Sequence, residues 1–236
     1  MFRIYLSPST QENNIGAGDY GSEEFRMNQL ADLMMPLLKA AGYEVYRNIP
    51  SMSLKEVVAE SNKLNPDIHL AVHSNAANAK ARGLEIFCHR FGGQGEKLAR
   101  SIYTLLEPLT PAPGRGVKEG ANHYGPGKPM YETAYTSAPA ALIEVSFHDN
   151  PADAKFIIEN LPLLAKTIVG GINSYFGIEE NPGNPVPETP TESPLDEYKR
   201  IIQEKCGFSY PQGVWEVVDT HPYAQVLYEK WAKSYS

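Results

Sequence analysis

The sequence predicts an α/β fold: a mainly parallel sheet covered by helices on both faces. Two observations carry this. Short apolar, β-rich runs alternate with longer stretches of helical period, and the run Ala140–Phe147 is continuously apolar except for Glu144 and Ser146.

Taken in order, Ile4–Leu6 reads as a short strand closed by Pro8. From Glu23 to Ala41 the apolar positions Phe25, Met27, Leu30, Leu33, Met34, Leu37 and Leu38 recur near every 3.6 residues, which is a helix, and Gly42 stops it. Tyr43–Tyr46 is a strand. Ser53–Leu64 is a helix with Ser53 as its N-cap. Ile68–Val72 and Gly83–His89 are strands, Glu96–Leu106 is a helix, Ala140–Phe147 is a buried strand, and Asp153–Phe176 supplies one or two closing helices.

The segment 178–194 is rich in proline, glutamate and threonine and offers no apolar face to bury, so it reads as a semi-rigid linker. It separates a large domain, 1–177, from a small module, 195–236. That module carries Tyr198, Phe208, Tyr210, Trp215, Tyr223, Tyr228, Trp231 and Tyr235 between two helical patterns. So short a unit makes a meagre core unless it docks or dimerises.

The 236 residues carry a net charge of -7, which argues against a protein that tracks nucleic-acid phosphates. The only cysteines, Cys88 and Cys206, are far apart and do not form a disulfide framework. The N-terminus has no apolar run of signal-peptide length, and no segment approaches a membrane span. The expectation is synthesis in the cytoplasm, so any target beyond the membrane requires a separate release step.

In sheets of this class ligands bind beyond the carboxyl ends of the strands. His73 stands at such an end, where Ile68–Val72 gives way to Ser74, Asn75 and Ala76, and its ring can face a metal or substrate or rest half-buried. His69 lies in mid-strand and reads as a buried structural histidine. Glu144 is a carboxylate inside an apolar strand, costly unless paired or facing a site, and burial would raise its pKa toward that of a general acid–base. The structural alternative is a bridge to Arg115, whose own basic turn, 115–118, can also hold an anionic group. Glu23 and Glu24 open the first long helix, where the helix dipole alone favours carboxylates.

Together these segments resemble the zinc-dependent N-acetylmuramoyl-L-alanine amidases of phage endolysins and sporulation. Glu24 with Asn28 resembles the family's helix-opening ligand. Val72–Ala76 resembles its His-x-Asn-Ala signature, and Pro139–Asn150 resembles its catalytic strand. The resemblance implies zinc held by His73 and Glu24, Glu144 as catalytic base, and bacterial peptidoglycan as substrate. It implies weaker substrate contacts from Arg115 and Asn75, and makes the aromatic module a candidate for wall binding or dimerisation. One departure stands out: the family's first histidine falls near Thr10, and no histidine precedes His69. Glu12 is the expected replacement, Gln11 the runner-up, and His123 or His148 could also fill the vacancy. Two rival readings stay open, a wall-binding homologue impaired in catalysis and a glycosidase that uses two carboxylates.

Overall fold

The structure is a computed structural model and describes residues 1–178. The linker, the aromatic module and Cys206 lie outside these residues, apart from Ile178.

Six strands form one sheet: β1 (Arg3–Pro8), β2 (Glu44–Arg47), β3 (Ile68–Asn75), β4 (Glu85–Cys88), β5 (Val117–Glu119) and β6 (Ala140–Phe147). Their spatial order is β2-β1-β3-β6-β4-β5. All neighbours pair parallel except β4 with β6, which is antiparallel. Five α-helices cover it: α1 (Glu23–Ala40), α2 (Leu54–Leu64), α3 (Gln94–Leu106), α4 (Tyr131–Tyr135) and α5 (Pro151–Phe176).

The expected strands and long helices are present, with ends shifted by a few residues. β5 and α4 are additions, three and five residues long, too short for sequence periodicity to register. Ser53 caps α2 and forms a reciprocal capping box with Glu56. α5 runs through the single predicted region but bends at Asn160, two residues before Pro162, whose ring and missing N–H disrupt the helical ladder.

Strand pleating sorts the residues onto two faces. Ile4, Leu6, Leu70, Val72, Ile86, Ala141, Ile143 and Val145 join the main core with residues of α1, α3 and α5. Ala71, Phe87 and Leu142 form a smaller cluster with Met130 on the other face. That second face also carries Tyr5, His69, His73, Glu85 and Glu144, as the register His69↔Ala140, His73↔Glu144 and Glu85↔Glu144 requires. Tyr5 and His69 bond to Glu60 and Ser61 of α2. The polar residues therefore share the face with fewer apolar residues, and His73 lies toward the carboxyl end of β3.

Candidate active site

The register β3–β6 sets His73 directly beside Glu144, and shifts between His73 and Asn75. Such an irregularity re-aims the strand end. Here Ser74 turns into the protein, where its hydroxyl meets Tyr20 Oη at 2.6 Å and His148 Nδ1 at 2.8 Å.

Glu23 is the first residue of α1, behind the cap of Ser22, whose hydroxyl accepts the Phe25 N–H at 3.1 Å. Its buried carboxylate lies 2.7 Å from His73 Nδ1 and accepts from Asn14 Nδ2 at 2.6 Å. Asn14 in turn meets His148 Nε2 at 3.0 Å. On the other edge of the imidazole, Nε2 lies 3.4 Å from Glu132 of α4. Burial would drive the His73 pKa down, but Glu132 and Glu23 outweigh it and hold the pKa well above the usual histidine value. Glu23 is lowered in return: burial opposes its charge, and His73 more than offsets that.

Glu144 is different. Burial pushes its pKa up to about 8, the nearby carboxylates Glu23, Glu85 and Glu132 add to this, and His73 opposes them. Its Oε2 is buried without a hydrogen-bond partner among the described residues. An orphaned buried carboxylate oxygen is costly and is tolerated where a ligand completes it. A cleft of about 290 Å³ opens over this group, lined among others by Gln11, His73, Tyr124, Glu132, Leu142 and Glu144.

The expected residues sort as follows. His73 and Glu144 come together. Glu24 does not join them: the helix-opening carboxylate on His73 is Glu23, one residue earlier. Helical geometry turns successive side chains about 100° apart, so only one of the pair can face the β3 end. Glu24 instead senses Glu12, and burial followed by that like charge raises its pKa. Glu12 is exposed and accepts from Asn13 at 3.4 Å, so the acidic replacement expected in the first loop gives way to Gln11, whose amide nitrogen is 3.5 Å from His73 Nδ1. His148 reaches Glu23 through Asn14 and through Ser74, whose N–H donates to Glu23 at 3.4 Å, and His123 packs edge-on against Phe87 and Tyr124. The Arg115 guanidinium bridges to Glu85 at 2.8 Å, not to Glu144. Asn75 donates to the same Glu85 at 2.6 Å, so both residues expected to touch substrate converge on one β4 carboxylate. Glu132 was not anticipated at all. It lies in a five-residue helix without usable periodicity, and its sequence signal was only an acidic residue between aromatics.

Among the described residues no cluster of three His, Cys, Asp or Glu side chains is arranged to hold a metal ion. Gln11, Glu23 and His73 nevertheless reach one point from three separate elements, around Nδ1. One imidazole nitrogen, one carboxylate and, after a half-turn of its amide, one carbonyl oxygen fit a divalent ion with an open position. The neutral amide is the weakest donor of this set.

An α/β sheet with a histidine and a buried, unpartnered glutamate side by side at a strand mouth defines a hydrolase-type site. Residues 4–174 match the N-acetylmuramoyl-L-alanine amidase family, and the chain belongs to it. The catalytic domain of the amidase CwlV from Bacillus (Paenibacillus) polymyxa superposes with a TM-score of 0.66 at 17% identity, covering 76% of this chain and all, 100%, of that one. An N-acetylmuramoyl-L-alanine amidase from Clostridium difficile gives 0.64 at 23% identity over 76% of this chain and 98% of that one. The catalytic domain of an endolysin targeting Clostridia difficile gives 0.61 at 21% over 77% and 100%. These likenesses establish the fold. By sequence, the chain is 30% identical over 129 residues to the uncharacterized protein YqiI of Bacillus subtilis, covering 53% of this chain and 59% of that protein. It is 34% identical over 127 residues to a Clostridium perfringens protein, also uncharacterized, of which it spans 35%. No helix among the described residues is long and apolar enough to cross a membrane.

Proposed function

We propose that this chain hydrolyses the amide between the lactyl group of muramic acid and L-alanine in bacterial peptidoglycan, with zinc as its cofactor. The observation that carries this reading is the orphaned Glu144 oxygen beside His73 in an open cleft.

His73 Nδ1, Glu23 and the Gln11 amide oxygen would hold the ion. When bound, zinc supplies Lewis acidity toward the scissile carbonyl and lowers the pKa of a water in the cleft. Glu144 takes the proton of that water on Oε2 and returns it to the departing L-alanine nitrogen. Its pKa, pushed up by burial to about 8, keeps the proton available for return. Glu23 is held by Asn14, so its carboxylate does not swing out when substrate enters. Arg115 and Asn75 both bond Glu85 of β4, beside Glu144, and are the candidates for contacts to the stem peptide. The aromatic residues after the linker would tether the domain to wall, raising its local concentration on an insoluble substrate.

Glu144→Gln removes the proton acceptor with little change in shape. Wall hydrolysis should fall by about 10²-fold or more, with the thermal midpoint and zinc content preserved. Wild-type rates in that variant would remove Glu144 from the mechanism. Digests should release alanine amino groups without new reducing sugar ends; the reverse product pattern would mark a glycosidase. Failure of the purified chain to take up zinc, with no hydrolysis, would favour a wall-binding homologue. That second reading draws on the absent first histidine.

A further inference from the structure

Behind His73, on the side away from Glu23, lies a polar cluster that the proposed chemistry does not use. Glu132 is almost fully buried. Its Oε1 accepts from the Ser7 hydroxyl at 2.6 Å and meets His69 Nε2 at 3.0 Å, while its Oε2 faces His73 Nε2 at 3.4 Å. His69 is anchored on its far side, with Nδ1 2.9 Å from Ser61 Oγ of α2, and is stacked on Tyr5. Three elements, β1, β3 and α4, thus meet on one carboxylate, and α2 reaches it through His69.

Stability alone does not explain the cluster. Replacing a buried ionic group by apolar residues of similar volume is often neutral or stabilising. The surrounding face already supplies an apolar cluster in Ala71, Phe87, Met130 and Leu142. His69 and Ser7 do not require a charge to be satisfied, since a neutral acceptor would serve each. What needs this carboxylate is the imidazole of His73. A ring with an acceptor fixed at Nε2 is held in one orientation, with Nδ1 turned toward Glu23 and Gln11. Without that acceptor, the ring is free to flip.

We propose that Glu132 is a positioning residue: tied down by Ser7 and His69, it receives the Nε2–H of His73 and fixes the ring with Nδ1 directed at the Gln11–Glu23 pair. The consequence for zinc rests on the function proposed above; the effect on the ring does not. A carboxylate in this place compensates for the missing loop histidine by making the single remaining imidazole a better-ordered donor.

The experiment uses the full-length chain with ¹⁵N-labelled histidine, as wild type, Glu132→Gln and Glu132→Ala. In metal-free wild type, the His73 Nε2–H is expected as a slowly exchanging, hydrogen-bonded proton; in Glu132→Ala it is lost to exchange. Zinc affinity, measured by competition with a chromophoric chelator, is expected to weaken by about 10- to 100-fold in both variants, with the thermal midpoint of Glu132→Gln close to wild type. An unchanged His73 Nε2–H signal in a folded Glu132→Ala overturns the proposal, as does the failure of both variants to fold, which would make Glu132 a structural buttress. If wild type binds no zinc, the metal reading fails by itself and the Nε2–H signal alone decides the role of Glu132.

Discussion

His73 depends on what stands at each of its two ring nitrogens, and the carboxylate at Nδ1 belongs to Glu23. Glu23 and Glu24 share the favourable dipole at the start of α1, so electrostatics do not separate them, but direction does. Glu23→Ala should abolish zinc uptake and wall hydrolysis, whereas Glu24→Ala should keep both within about threefold, less than the tenfold of 1.4 kcal/mol. Equilibrium dialysis and turbidity clearing measure the two, and equal losses would show that both carboxylates serve the site. Gln11 allows the opposite experiment. An imidazole binds zinc more strongly than a neutral amide, so Gln11→His should tighten zinc binding by about tenfold or more. Weaker binding in that variant would place Gln11 outside the donor set.

At the scale of elements, the site is held by how closely the helices on the opposite face approach. Gly171 lies in α5, and a Cβ there would stand 2.6 Å from Ile102 Cα of α3. In an exposed helix Gly→Ala stabilises by about 1 kcal/mol. Here the added methyl meets backbone, and the sign reverses: Gly171→Ala should lower the urea midpoint, since overpacking costs about 1–3 kcal/mol. A raised midpoint would mean that α3 and α5 slide apart freely. Gly95 places α3 in the same way, because a Cβ there would stand 2.7 Å from the carbonyl of Ala140, the first residue of the strand bearing Glu144.

For the whole molecule, Glu85 joins the short strands to the site. It sits on β4 opposite Glu144, accepts from Asn75 at the end of β3, and pairs with Arg115 and with Lys118 of β5. Burial opposes its charge, but Lys118 and Arg115 outweigh it and lower its pKa. A lowered carboxylate contributes stability above its unfolded pKa of about 4.3 and loses it as pH falls through the folded value. Stability should therefore drop between about pH 5 and 3. Glu85→Gln should be less stable than wild type at pH 7 and show a smaller drop over that acid range. Urea midpoints at the two ends measure it, and parallel acid profiles would rule out this linkage.

The order of strands and long helices, the strand-mouth position of His73 and the anomalous glutamate at 144 were legible in the sequence. They rest on periodicity and on the cost of a charge in an apolar run, both local properties of the chain. The family resemblance likewise needed only residues in order. Three features needed the tertiary structure: Glu23 in place of Glu24, Gln11 in place of Glu12, and Glu132 as the second partner of His73. Adjacent residues on a helix or loop have nearly the same sequence signal, and which one faces the site depends on the rotation of α1 against the end of β3. Glu132 is 59 residues from His73 in the chain, and only packing of a one-turn helix onto the sheet brings them together. Local pattern specifies elements; the relative placement of side chains from distant elements is a property of the folded core.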